Sequence, residues 1–108
     1  MSITVNLKYL GKKGASRAFA EEMVQSGTVA AIRAEDGNEI YDYYISFDDP
    51  DVLLLIDQWH DQAAIDAHHA SPMMATIAEL RDKYDLHMEA QRFAPLDGGQ
   101  QDERFMRH

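Results

Sequence analysis

Val52-Leu53-Leu54-Leu55-Ile56 is the longest uninterrupted apolar run in the chain, and it restricts the fold more than any other feature. It falls far short of the roughly 20 residues that span a bilayer, so protein must cover it. The Asp48-Asp49-Pro50-Asp51 turn precedes it, with Pro pre-setting the backbone angle. Val52 to Trp59 therefore reads as a strand, apolar until Asp57, and so central in a sheet and covered on both faces. A chain of 108 residues builds one compact domain. Its own helices can cover one sheet face, and the second face needs another cover. Pairing two sheets across a homodimer supplies one.

The flanking segments complete the pattern. Ile3 to Leu10 alternates, with Ile3, Val5, Leu7 and Tyr9 on one side and Thr4, Asn6 and Lys8 on the other, as in a strand. Ala15 to Gln25 carries Ala15, Phe19 and Met23 at helical spacing. That helix either stops at Ser26-Gly27 or continues to Ala34, and Glu35-Asp36-Gly37-Asn38 ends it, Gly37 suiting a left-handed conformation. Glu39 to Phe47 reads as a second strand that forms an antiparallel hairpin with Val52–Trp59. Asp61 caps a short helix to His69. Ser71-Pro72 opens another, Ser as cap and Pro at the first helical position, with Met73, Ile77, Leu80 and Tyr84 facing inward. Leu86 to Phe93 reads as a fourth strand. The order β-α-β-β-α-β is α+β, the ferredoxin-like split βαβ. The domain spans 1–95. The polar stretch 96–108, with Gly98-Gly99-Gln100-Gln101, is a loose tail or an arm laid on a partner.

Charge and composition remove whole classes of function. With no cysteine there is no disulfide scaffold, thiolate metal site or cysteine nucleophile. Asp+Glu 19 against Lys+Arg 10, a formal net charge of -9, argues against nucleic acid and anionic membrane as partners. Met1 to Val5 lacks the basic flank and apolar core of an export signal, so a cytoplasmic location is expected. No Gly-rich phosphate loop or G-x-S-x-G elbow is present, and the histidine spacing forms no helical metal pair. From Ala34 through Leu80 there is no Lys or Arg, which favours an uncharged aromatic ligand over a phosphate.

What remains is an aromatic and histidine constellation. Trp59 is the only tryptophan, ends the third strand on the same face as Asp57, and precedes His68 on the next helix. A strand end and the helix after it can form the wall and lip of one cavity. Trp offers an apolar plate with one N–H, and His exchanges a proton near neutral pH. A lone Trp is more often core, and a lone His more often packs or faces water.

The surrounding residues sharpen this. Asp57-Gln58-Trp59 followed by Ala64-Ile65-Asp66-Ala67-His68 resembles the acid-x-Trp and Ala-x-x-x-His signature of the antibiotic biosynthesis monooxygenase family. Glu35-Asp36-Gly37 through Tyr41 is similar to its Glu-x-Gly-x-x-x-Tyr entry to the second strand, and the Asp48-Asp49-Pro50 turn also matches. The resemblance runs from Ile3 to Phe93. It implies a dimeric α/β barrel of two facing sheets. It also implies oxidation of a quinol- or anthrone-like aromatic substrate by O₂ without metal, flavin or haem cofactor. Carried over by position, Trp59 walls the pocket or donates its N–H, and His68 transfers the proton. Tyr44, Asn6 and Met73 are implied substrate-binding positions. Asn6 is similar to a first-strand asparagine of some relatives, although alignment on Lys13-Gly14 shifts it one residue. Met73 stands where the family reads a histidine after Pro72, and Asp57 stands for the commoner Glu.

Other functions compete on the same fold. An isomerase of a small phosphorylated sugar-like compound needs a cationic grip, for which only Lys8, Arg33, Arg81 or Arg92 are placed. A haem-binding or haem-degrading relative would use a histidine on iron. A dimeric ligand-binding module would have a vestigial pocket.

Overall fold

The computed structural model describes residues 1–96 and 99–108. Four strands make one antiparallel sheet, β1 (Ile3–Leu10), β2 (Asn38–Ile45), β3 (Val52–Trp59) and β4 (His87–Phe93), in the order β2-β3-β1-β4. Helices α1 (Ala15–Gln25), α2 (Thr28–Arg33), α3 (Gln62–His69) and α4 (Met73–Lys83) lie between them in the chain. This is the expected ferredoxin-like α+β arrangement, with the apolar run at the centre of the sheet.

Gly27 settles the length of the first helix. At φ 82 it breaks the α-helical path, so Thr28–Arg33 starts a separate helix rather than a continuation. β2 ends at Ile45 and not at Phe47, whose side chain is wholly exposed. The hairpin closes where the Ser46 N–H donates to the Val52 carbonyl at 3.0 Å. At α4 the expected Ser71 side-chain cap is absent. The Ser71 carbonyl accepts from the Met74 N–H at 3.2 Å, and its hydroxyl is buried without a partner. In the stretch 96–108 a 3-10 helix covers Gly99–Phe105, while positions 97 and 98 of the expected loose tail lie outside the described residues.

β3 alternates strictly between buried and half-buried residues, because successive side chains take opposite faces. Leu53, Leu55, Asp57 and Trp59 face the helices, and Leu54 and Ile56 face away. Within one chain the strand is thus covered on one side only. The core gathers Tyr9, Phe19, Met23, Ile32, Leu53, Leu55, Trp59 and Ile77, all essentially inaccessible. Tyr9 packs on Phe19 at 5.1 Å between ring centroids, and Tyr41 meets Tyr43 edge-on at 5.9 Å. Toward β4 this cover thins, and every residue of that strand is exposed.

Candidate active site

A cavity of about 300 Å³ lies between the inner sheet face and helices α3 and α4. Its walls follow from the two periodicities. Asp57 and Trp59 are two residues apart on β3 and share the inner face. Met74, Ile77 and Arg81 recur at helical spacing on α4 and line the opposite wall. The Asp61 side chain accepts from the Ala64 N–H at 2.9 Å and fixes the start of α3. One face of that helix then brings His68 to the cavity.

His68 stacks on Trp59 with ring centroids 4.7 Å apart and planes 29° from parallel. Its Nδ1 lies 2.7 Å from Glu35 Oε2, with side-chain exposures of 7% and 15%. An ionised carboxylate only accepts hydrogen bonds, so Nδ1 carries a hydrogen, and it is Nε2 that would have the lone pair in the neutral tautomer. Trp59 Nε1 donates to Asp57 Oδ2 at 2.8 Å. The indole N–H is therefore engaged inside the protein, and Trp59 meets the cavity as an apolar wall.

Asp57 is 6% exposed, and its Oδ1 is buried with no partner among the described residues. Burial pushes this carboxyl above the ordinary carboxylate range, while the Trp59 N–H and the nearby His68 work in the opposite direction. Tyr41 also lines the cavity. Burial raises its hydroxyl far above the usual phenol value, so it stays protonated. Arg81 donates from Nη2 to the Tyr9 hydroxyl at 3.0 Å and holds its guanidinium 5.6 Å from that ring's centroid. Its Nε is buried without a partner among the described residues.

Of the residues expected at the site, the structure brings Trp59 and His68 together and separates the other three from them. Asn6 pairs across the sheet with Ile56 and Gln91, and Tyr44 with Leu54. Both project from the outer face, away from Trp59. Met73 packs against the core at the start of α4, and its neighbour Met74 lines the cavity. Adjacent residues on a helix point about 100° apart, so one step of phase decides which methionine is presented.

Glu35, Asp57 and Arg81 were not among the expected catalytic or substrate-binding residues. Asp57 did leave a signal, as the one acid interrupting an apolar strand two residues before the tryptophan. Glu35 lies 33 residues from His68, and no periodicity connects them. The Lys- and Arg-free stretch also does not make a cavity without cations. Arg81 directly follows it, and Arg92 from β4 joins the same wall. Among the described residues, no group of three or more His, Asp or Glu is placed to hold a metal ion. No helix of the described residues is long and apolar enough to cross a membrane.

Comparison with known proteins matches residues 2–80 to the family model for antibiotic biosynthesis monooxygenases. No curated protein matches the chain. Rv0793 from Mycobacterium tuberculosis superposes with a TM-score of 0.71 at 25% identity, covering 91% of this chain and 98% of that one. PA3566 from Pseudomonas aeruginosa gives 0.75 at 23% identity, over 88% and 94%. SnoaB from Streptomyces nogalater, a cofactor-independent oxygenase, gives 0.73 at 16% identity, over 90% and 95%.

Proposed function

The chain belongs to the antibiotic biosynthesis monooxygenase family, and from that premise we propose that its cavity oxidises an electron-rich phenolic substrate, of the quinol or anthrone kind, with O₂ and no metal, flavin or haem. One observation carries the proposal: His68, held by Glu35 through Nδ1 and stacked on Trp59, lines a largely apolar cavity. Such substrates reduce oxygen themselves once deprotonated, so the protein must supply a positioned base and a dry enclosure.

For an anthrone the balance is explicit. One proton of the CH₂ carbon passes to His68 Nε2, leaving a delocalised anion. O₂ takes electrons from that anion and bonds to the carbon. Cleavage of the O–O bond leaves one oxygen as the new carbonyl, and the other departs as water with the two hydrogens the carbon has lost. Trp59 packs against the base and excludes water. Tyr41, protonated throughout, offers a donor to a developing oxyanion.

Two copies pair through their outer sheet faces. Support comes from Leu54 and Ile56 at the centre of that face, with Tyr44, 50% exposed, on the adjacent β2 and Phe93, 47% exposed, on β4 beyond β1. An apolar face of this kind is covered at little cost by its own symmetry mate.

An oxygen electrode tests the chemistry. Menadiol or an anthrone should consume O₂ faster with the protein than without it, with no added metal or flavin. His68→Ala should remove most of the excess rate, about tenfold or more, and Trp59→Phe a smaller share. Equal uptake with and without protein would overturn the proposal, and unchanged rates in both variants would move the site elsewhere.

A further inference from the structure

In a chain with nearly twice as many acidic as basic residues, three of the ten Lys and Arg side chains pair with a carboxylate among the described residues. Arg17 pairs with Glu21, Arg33 with Asp42 and Lys83 with Glu22. Arg81 does not, although it is half-buried. Among the described residues its only hydrogen-bond partner is the Tyr9 hydroxyl, and its Nε is enclosed with none. Arg92, exposed at the edge of the same cavity, donates to Gln62 and has no carboxylate partner among the described residues. Lys8, Lys12, Lys13, Arg104 and Arg107 have no carboxylate among the described residues either, but they stand in water, which solvates a charge cheaply. Asp57 is the single acid on the cavity wall, and only its Oδ2 is bonded, to the Trp59 N–H. Two guanidiniums thus face one carboxylate inside a strongly acidic protein, a local reversal of sign. A part-buried guanidinium without a counterion is costly to keep, and a ligand anion would offset that cost.

We propose that the ligand of this cavity is an aromatic carboxylate: a phenolic ring system bearing an acid group, which Arg81 holds and Arg92 assists from the rim, while the ring occupies the apolar wall between Trp59 and Ile77. This ligand class rests on the monooxygenase reading above and narrows it from neutral quinols to acidic ones. A carboxylate suits the planar donor fork of Arg. A phosphate suits the place less well. Arg81 lies in the last turn of α4, where unpaired carbonyls carry partial negative charge and no backbone N–H groups converge.

Calorimetric titration of the full chain with three air-stable naphthalenes tests this, with the fluorescence of the single tryptophan, Trp59, reporting occupancy. 1-Hydroxy-2-naphthoate should bind about tenfold or more tightly than 1-naphthol, the gain of a charge-assisted hydrogen bond. Arg81→Gln should erase that advantage by bringing the two affinities together, Arg81→Lys should keep part of it, and Arg92→Gln should reduce it. The proposal is overturned by equal affinities, by a preference that survives both glutamine variants, or by no binding of either compound. Tighter binding of 1-naphthyl phosphate would overturn it in favour of a phosphorylated ligand. The two readings fail separately. Menadiol oxidation without a carboxylate preference removes only the ligand class. Tight binding of 1,4-dihydroxy-2-naphthoate under argon, without protein-dependent O₂ uptake once air is admitted, removes only the oxygenase.

Discussion

Asp57 shows how one residue ties stability to the site. It is buried between Trp59 and the cavity with one oxygen unpartnered, and burial raises its carboxyl. The sign of the pH effect follows. At pH values below the ordinary carboxylate range, Asp57 is protonated in both the folded and unfolded chain and costs nothing. As pH rises, the unfolded chain releases its proton first, so folding stability falls until the folded carboxyl ionises too. Asn at this position keeps an acceptor for the Trp59 N–H and never ionises. The Tm of Asp57→Asn should therefore gain on wild type by a few degrees as pH is raised from about 3 to about 7. Thermal melts at several pH values read the difference, and a gap that narrows over this range would show that Asp57 is not held neutral by its surroundings. Glu35 acts on the same small scale, since it decides which nitrogen of His68 keeps a lone pair.

At the scale of elements, the connection before β2 and helix α3 position Glu35 against His68, and Gly37 lets them approach. It sits at φ 85, and a Cβ there would fall 2.6 Å from the Ala64 Cβ of α3. Its carbonyl also accepts from the His60 N–H at 2.8 Å. Gly27 has nearly the same backbone, φ 82, but a Cβ there would meet nothing within 4 Å. The pair separates backbone strain from collision. Gly27→Ala should cost about 1 kcal/mol for its left-handed conformation, and Gly37→Ala about 3 kcal/mol, with overpacking added. Urea denaturation measures both, and equal losses would mean that the α3 contact yields freely. Only Gly37→Ala should also lower O₂ uptake, because it pushes α3 away from the loop that carries Glu35.

At the scale of the whole molecule, the sheet is finished on one side and open on the other. Leu54 pairs with Lys8 and Tyr44 at the middle of the outer face, where a second sheet would bury it. Light scattering after size exclusion should give twice the 12.3 kDa of the single chain. Leu54→Lys should shift the protein toward monomer by placing a charge at the centre of the contact. A wild-type mass of 12.3 kDa would rule the pairing out. A dimer would bear on the cavity too, since β4 walls it with exposed residues.

Local pattern determined the elements. The helical spacing of Phe19 and Met23, the apolar run of β3 and the Asp61 cap are short-range signals, and the expected bounds of Ala15–Gln25 and Val52–Trp59 coincide with the observed ones. Trp59 and His68 were legible as neighbours because nine residues of strand end and following helix bring them together by local geometry. Tertiary structure decided the rest. Both faces of the strands carry apolar residues, so the sequence left open which face holds the helices, and Asn6 and Tyr44 fell on the other one. Met73 and Met74 differ by one step of helical phase, which packing alone resolves. Glu35 reaches His68, and Arg81 and Arg92 reach the cavity, from separate elements that no local pattern connects. The charge pattern along the sequence favoured an uncharged aromatic ligand and left Arg81 and Arg92 only as two of four available cations, whereas the folded chain places both guanidiniums on the cavity wall. Charge acts through space, and only the fold sets those distances.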